Sequence, residues 1–119
     1  MPVAVETGSP SALLIVVARY AICFVTTRLG CILMCEAMRV YQEGVASAEH
    51  IDTGMKLGYN HPMGPLELAD RIGLDTILLI LEDLREAYGD AFRPPPVLRQ
   101  MVAAGRLGRK SGRGFYDHA

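Results

Sequence analysis

Two carboxylates, Glu67 and Asp70, stand three residues apart in a stretch with helical signals, so a helix places them on one face. Paired carboxylates can divide general acid and general base work between them. The same spacing serves solvated surface charge or the capping of a following helix, and the residues themselves leave these readings open. The histidines His50, His61 and His118 are scattered. His50 falls on the surface of a short helix, His61 precedes a proline in a loop, and His118 lies beside the terminus; all three read as structural. Cys31 and Cys35 share a helical face inside an apolar segment that also holds Cys23. With no histidine at a ligand spacing nearby, they read as buried thiols rather than a metal site. Three cysteines without a framework spacing also argue against a disulfide scaffold.

Other chemistry is absent from the pattern. No GxGxxG follows a strand, so the chain holds no dinucleotide cradle of its own. GRLGRKSG has the wrong spacing for a phosphate-binding P-loop and no strand before it. There is no GxSxG nucleophile elbow. From Arg93 onward the bases Arg93, Arg99, Arg106, Arg109, Lys110 and Arg113 face the single acid Asp117. Such a tail suits phosphate, an acidic partner or water. It lacks interleaved aromatics before Phe115 and Tyr116, and the whole chain carries a net charge of −1, so nucleic acid is not the expected partner.

The elements that must position these residues are helical. With 119 residues, half of them hydrophobic, the chain is long enough for one domain with its own core and too apolar for disorder. Ser9-Pro10 starts a helix that could run to Gly44, a length of about 50 Å. Val25, Thr26, Thr27 and Gly30 weaken its middle, and a break or kink near 22–30 is expected. Arg19 and Arg28 cut the apolar run into pieces shorter than a membrane span, and the start lacks the basic region of a signal peptide. A second helix is capped by Ser47 and ends at Gly58. A third starts at Pro65 and runs to about Ile72. A fourth opens at Asp75, spans Thr76 to Tyr88 with the 3.6 period in Ile77, Leu78, Ile80, Leu81 and Leu84, and stops at Gly89. Pro94-Pro95-Pro96 leads into a last helix, Val97 to Ala104, and the tail is loop with a short extended end. The expected class is all-α: a compact bundle of about five helices with a long first helix. No internal repeat is visible.

Three stretches together resemble one family: the weaker FVTTRL, then EAMRVYQEGVASAEHIDTGMKLGYNHPMGPLELADRIGLDT, then PPPVLRQMVAAGRLGRKSGRGFY. They are similar to the C-terminal domain of bacterial 3-hydroxyacyl-CoA dehydrogenases, including 3-hydroxybutyryl-CoA dehydrogenases, over about residues 24–117. HPMGPLELAD followed by GRKSGRGFY is quite specific as an ordered pair. The resemblance implies a 6-phosphogluconate dehydrogenase C-terminal-like fold for residues 22–119, preceded by a divergent apolar segment, residues 1–21.

In that family an N-terminal Rossmann domain binds NAD and carries a His–Glu catalytic pair. The helical domain closes the acyl-CoA cleft and forms the homodimer. The resemblance therefore implies NAD for the full-length enzyme but no cofactor or metal held by this chain alone. It also implies a possible separate Rossmann-domain chain as partner, acyl-CoA as ligand and a cytoplasmic setting. The family's polar catalytic residue, an Asn in a PGFxxNR stretch, corresponds to Thr27 in Ile22-Cys23-Phe24-Val25-Thr26-Thr27-Arg28. A hydroxyl there can donate or accept a hydrogen bond but lacks the reach and second donor of an amide. Ile22-Cys23 replaces the family's Pro-Gly, so the helix can extend upstream. Arg28 could hold a carboxylate of the fold, and the tail bases could meet CoA phosphates. Ser11 to Val25 is apolar enough to cover the exposed cleft face or cross to a second subunit, and a homodimer is expected.

Overall fold

The computed structural model describes the backbone of residues 10–118 and the side chains of residues 25–118. Among the described residues five helices follow one another: α1 (Pro10–Gln42), α2 (Ala48–Gly58), α3 (Pro65–Ile72), α4 (Leu74–Tyr88) and α5 (Pro96–Ala103). Two 3-10 turns, Asp90–Phe92 and Arg109–Ser111, complete them. Among the described residues there is no strand, and the tail carries only the isolated bridges Gly108 to Arg113 and Arg113 to Asp117. The all-α expectation holds.

The chain divides into two units, Met1–Gly30 and Cys31–Ala119. In the first, α1 is continuous from Pro10, so of the break or kink expected near 22–30 the break is absent. The reason is one of magnitude. Gly30 costs a helix about 1 kcal/mol and each β-branched residue only a few tenths, which flanking good helix formers offset. The cap at Ser9, the thiol of Cys23, the boundary at residues 21 and 22 and all but the last residue of the apolar stretch Ser11 to Val25 lie outside the described side chains.

In the second unit the end of α1 contributes Cys31, Met34, Cys35 and Met38, a stripe at positions i, i+3, i+4 and i+7. It meets Leu66 and Ala69 of α3, Leu74, Ile77 and Leu81 of α4, and Leu98 and Met101 of α5. Phe115 of the tail joins them and stands edge-on to Tyr41, with ring centroids 5.2 Å apart. Burial pushes the thiols of Cys31 and Cys35 up from their ordinary range, which keeps them unreactive core groups.

Local signals fix most helix ends. Ser47 Oγ accepts the His50 N–H at 3.1 Å, capping α2. Pro65 occupies the first turn of α3, where its missing N–H is not needed. The fourth helix begins at Leu74, two residues before the expected Thr76: Gly73, at φ +113, forms its N-cap, and the Leu74 N–H donates to Leu107 O at 3.0 Å. A tertiary acceptor there takes one of the first-turn N–H groups, and Asp75 Oδ1 accepts the next but one, from Thr76, at 2.9 Å.

Candidate functional site

Glu67 and Asp70 do not form a pair. Asp70 is 1% exposed, and its carboxylate turns to the C-terminal segment. Oδ1 accepts the Phe115 N–H at 2.9 Å; Oδ2 accepts the Tyr116 N–H at 3.0 Å and faces His118 Nε2 at 2.7 Å. A carboxylate so surrounded is an acceptor of fixed donors. Surface charge is thereby excluded for Asp70. Glu67 points elsewhere, with Oε1 3.0 Å from Lys56 Nζ. The Lys56 hydrogen bond and charge hold the Glu67 carboxyl below the usual carboxylate range.

A second buried acid, Asp52 on α2, completes the cluster. It is 3% exposed, and Oδ1 and Oδ2 accept the N–H groups of Leu66 and Glu67 at 2.8 and 2.9 Å. Gly64 precedes α3 without a side chain to cap it, so the carboxylate of a neighbouring helix satisfies those first-turn donors. Its negative charge also sits at the positive end of the α3 dipole. The Tyr116 hydroxyl donates to the same Oδ2 at 2.6 Å. Burial, then the hydrogen bond and charge of Asp52, push the Tyr116 phenol far above its ordinary value.

Three glycines make this approach possible. A Cβ on Gly64 would fall on the Asp52 side chain, one on Gly108 on the Asp70 backbone, and one on Gly114 on the Asp70 carboxylate. The two motifs HPMGPLELAD and GRKSGRGFY thus meet, together with Asp52 of α2, in one knot that ties the tail to α2 and α3. A polar cleft of about 420 Å³ lies over it, with Lys56, Arg109 and His118 among its walls. The carboxylates of the knot accept internal donors and tie its elements together.

Several bases of the tail are paired within the chain, although Arg109, Lys110 and Arg113 stay exposed. Arg106 donates to Gly114 O at 2.9 Å, Lys110 Nζ lies 2.6 Å from Asp75 Oδ1, and Arg113 Nε lies 3.1 Å from Asp117 Oδ1. His50 is exposed on α2, as its place in the sequence suggests, and His61 is half-buried, its ring centroid 6.2 Å from that of Tyr59. Thr27 lies on α1 in the first unit, and it is exposed, as are all residues from 25 to 29. The knot belongs wholly to the second unit.

Among the described residues no group of three or more His, Cys, Asp or Glu side chains could hold a metal ion, and no helix is long and apolar enough to cross a membrane. Nor do the described residues fit a dinucleotide: no glycine-rich turn joins a strand to a helix. Sequence reasoning missed Asp52 and Tyr116. The available signal was an acid on the buried stripe of α2, one turn after the buried Ala48.

A family model described as 3-hydroxyacyl-CoA dehydrogenase, C-terminal domain, matches residues 24–118. A probable 3-hydroxybutyryl-CoA dehydrogenase of Deinococcus radiodurans is 57% identical over 96 residues, which are 80% of this chain and 34% of that protein. The mitochondrial hydroxyacyl-coenzyme A dehydrogenase of Sus scrofa is 43% identical over 97 residues, 80% of this chain and 31% of that protein. Among solved structures, the (S)-3-hydroxybutyryl-CoA dehydrogenase of Ralstonia eutropha superposes with a TM-score of 0.75 at 55% identity, over 77% of this chain and 33% of that one. The chain therefore spans about a third of the length of the relatives it matches.

Proposed function

The chain belongs to the family of 3-hydroxyacyl-CoA dehydrogenase C-terminal domains, and we propose that it is the substrate-side and dimerisation part of an NAD-dependent enzyme that converts 3-hydroxyacyl-CoA to 3-oxoacyl-CoA. The observation that carries this reading is the match over residues 24–118, with both halves of the carboxylate knot inside it. The knot gives the domain a rigid face in place of a reaction centre. The oxidation itself needs a hydride acceptor, and NAD supplies that role when bound to a Rossmann domain. These 119 residues offer no cradle for it, so we place NAD and the proton-abstracting pair on another polypeptide segment.

This chain's own contribution to the reaction is Thr27. Its hydroxyl stands where the family carries an amide, on an exposed turn of α1. From there it can donate one hydrogen bond to a substrate carbonyl or to the catalytic base, and so orient rather than transfer a proton. Acyl-CoA is the ligand this reading assigns, with the cytoplasm as its setting.

The test is NADH formation from 3-hydroxybutyryl-CoA, followed by absorbance. The pure chain is expected to give none; turnover by the chain alone would overturn the reading. Mixed with a separately produced NAD-binding domain of a close relative, it is expected to restore activity. In that mixture Thr27→Val should lower kcat more than KM, and Thr27→Asn should raise it. No gain from mixing at high concentrations of both, with no heat on titrating acetoacetyl-CoA, would favour a non-catalytic helical interaction module instead.

A further inference from the structure

We draw no further inference here: the strongest candidate, the polar cleft of about 420 Å³ over α2, α3 and the C-terminal segment, belongs to the carboxylate knot already described, because Asp52, Glu67, Asp117 and His118 on its walls are each held by a partner within the same chain.

Discussion

Tyr116 donates its hydroxyl to Asp52 at 2.6 Å across 64 residues of sequence, and so fastens the end of the tail to the second helix. The same Asp52 holds the first turn of α3, so one buried charge serves two elements. Removing the hydroxyl with Tyr116→Phe should cost about 1.5–3 kcal/mol, the range for hydrogen bonds to charged groups, as read by urea unfolding at neutral pH. The pH dependence follows from the raised phenol. A group whose folded pKa lies above its unfolded value binds more protons when folded, so its stabilisation is whole below about pH 10 and is lost as pH rises beyond that. Wild-type stability should fall above pH 10, and the fall should be shallower in Tyr116→Phe. Equal alkaline slopes in the two proteins would refute the contact.

Asp70 is the other anchor, and its loss should be more severe. Asp70→Ala leaves the Phe115 and Tyr116 N–H groups and the His118 ring without their acceptor in a buried place. A broken buried charged network costs about 3–5 kcal/mol, a large share of the stability of a domain this size. Amide exchange should locate the damage. Protection at Phe115 and Tyr116 should collapse first, while Ile77 and Leu81 in the core follow global stability. Unchanged protection at Phe115 would show that Asp70 does not hold the tail.

The glycines separate steric need from backbone need. Gly114→Ala places a methyl against the Asp70 carboxylate and should cost about 1–3 kcal/mol through overpacking. Gly108→Ala adds to its clash a φ of +102 that a side chain resists, and should be worse than Gly114→Ala. Gly54 is the control. It is exposed in the middle of α2, and a Cβ there would meet nothing within 4 Å, so Gly54→Ala should stabilise by about 0.5–1 kcal/mol. Midpoints of urea unfolding for the three variants give the ranking directly.

What the sequence made legible was local. Ser47 reads as a cap because its hydroxyl reaches the N–H three residues on, and Pro65 and Gly89 mark a helix start and stop through their own backbone limits. The period in Ile77, Leu81 and Leu84 identifies the buried face of α4 with no knowledge of its partners. The knot was not legible in this way. Asp70 reaches Phe115 across 45 residues, and no local rule says which distant N–H a carboxylate will meet. Its neighbours Leu66 and Ala69 are buried, and an acid on such a stripe requires internal donors, since a bare buried carboxylate would be too costly. That logic puts Asp70 inside rather than beside Glu67. The resemblance identified the family from the same residues without explaining why the glycines recur beside the acids. The distances supply that explanation.

Glu67 gives the acid limb of the stability profile. Its hydrogen bond to Lys56 holds its folded pKa below the unfolded value. A depressed carboxylate adds stability above the unfolded pKa of about 4.3, and that stability is lost as pH falls through the folded value. Both side chains remain partly exposed, so the pair should contribute less than about 1 kcal/mol. Lys56→Met should therefore flatten the loss of stability below about pH 5 without changing the core, and added salt should produce a similar, weaker effect in the wild type. An acid limb identical in Lys56→Met and the wild type would show the pair to be energetically silent.

The last expectation concerns α1. Residues 25–29 are exposed in succession, and five residues at 3.6 per turn pass all the way round a helix. On it Val25 and Leu29, one turn apart, are 54% and 62% exposed and form an apolar edge. An exposed apolar edge favours association. A second copy of the chain is the partner we propose for it. Light scattering across a dilution series should then report twice the chain mass of 13.0 kDa, persisting to low concentration. Replacing both residues, Val25→Ser with Leu29→Ser, should move the midpoint of dissociation to higher concentration by up to about ten-thousandfold, since two apolar side chains at about 1.5 kcal/mol each leave the interface of each subunit. The second unit, with its core and knot intact, should keep its unfolding midpoint in monomer-favouring conditions. A wild-type chain that is monomeric at every concentration would remove the dimerisation role from the proposed function while leaving the family assignment untouched.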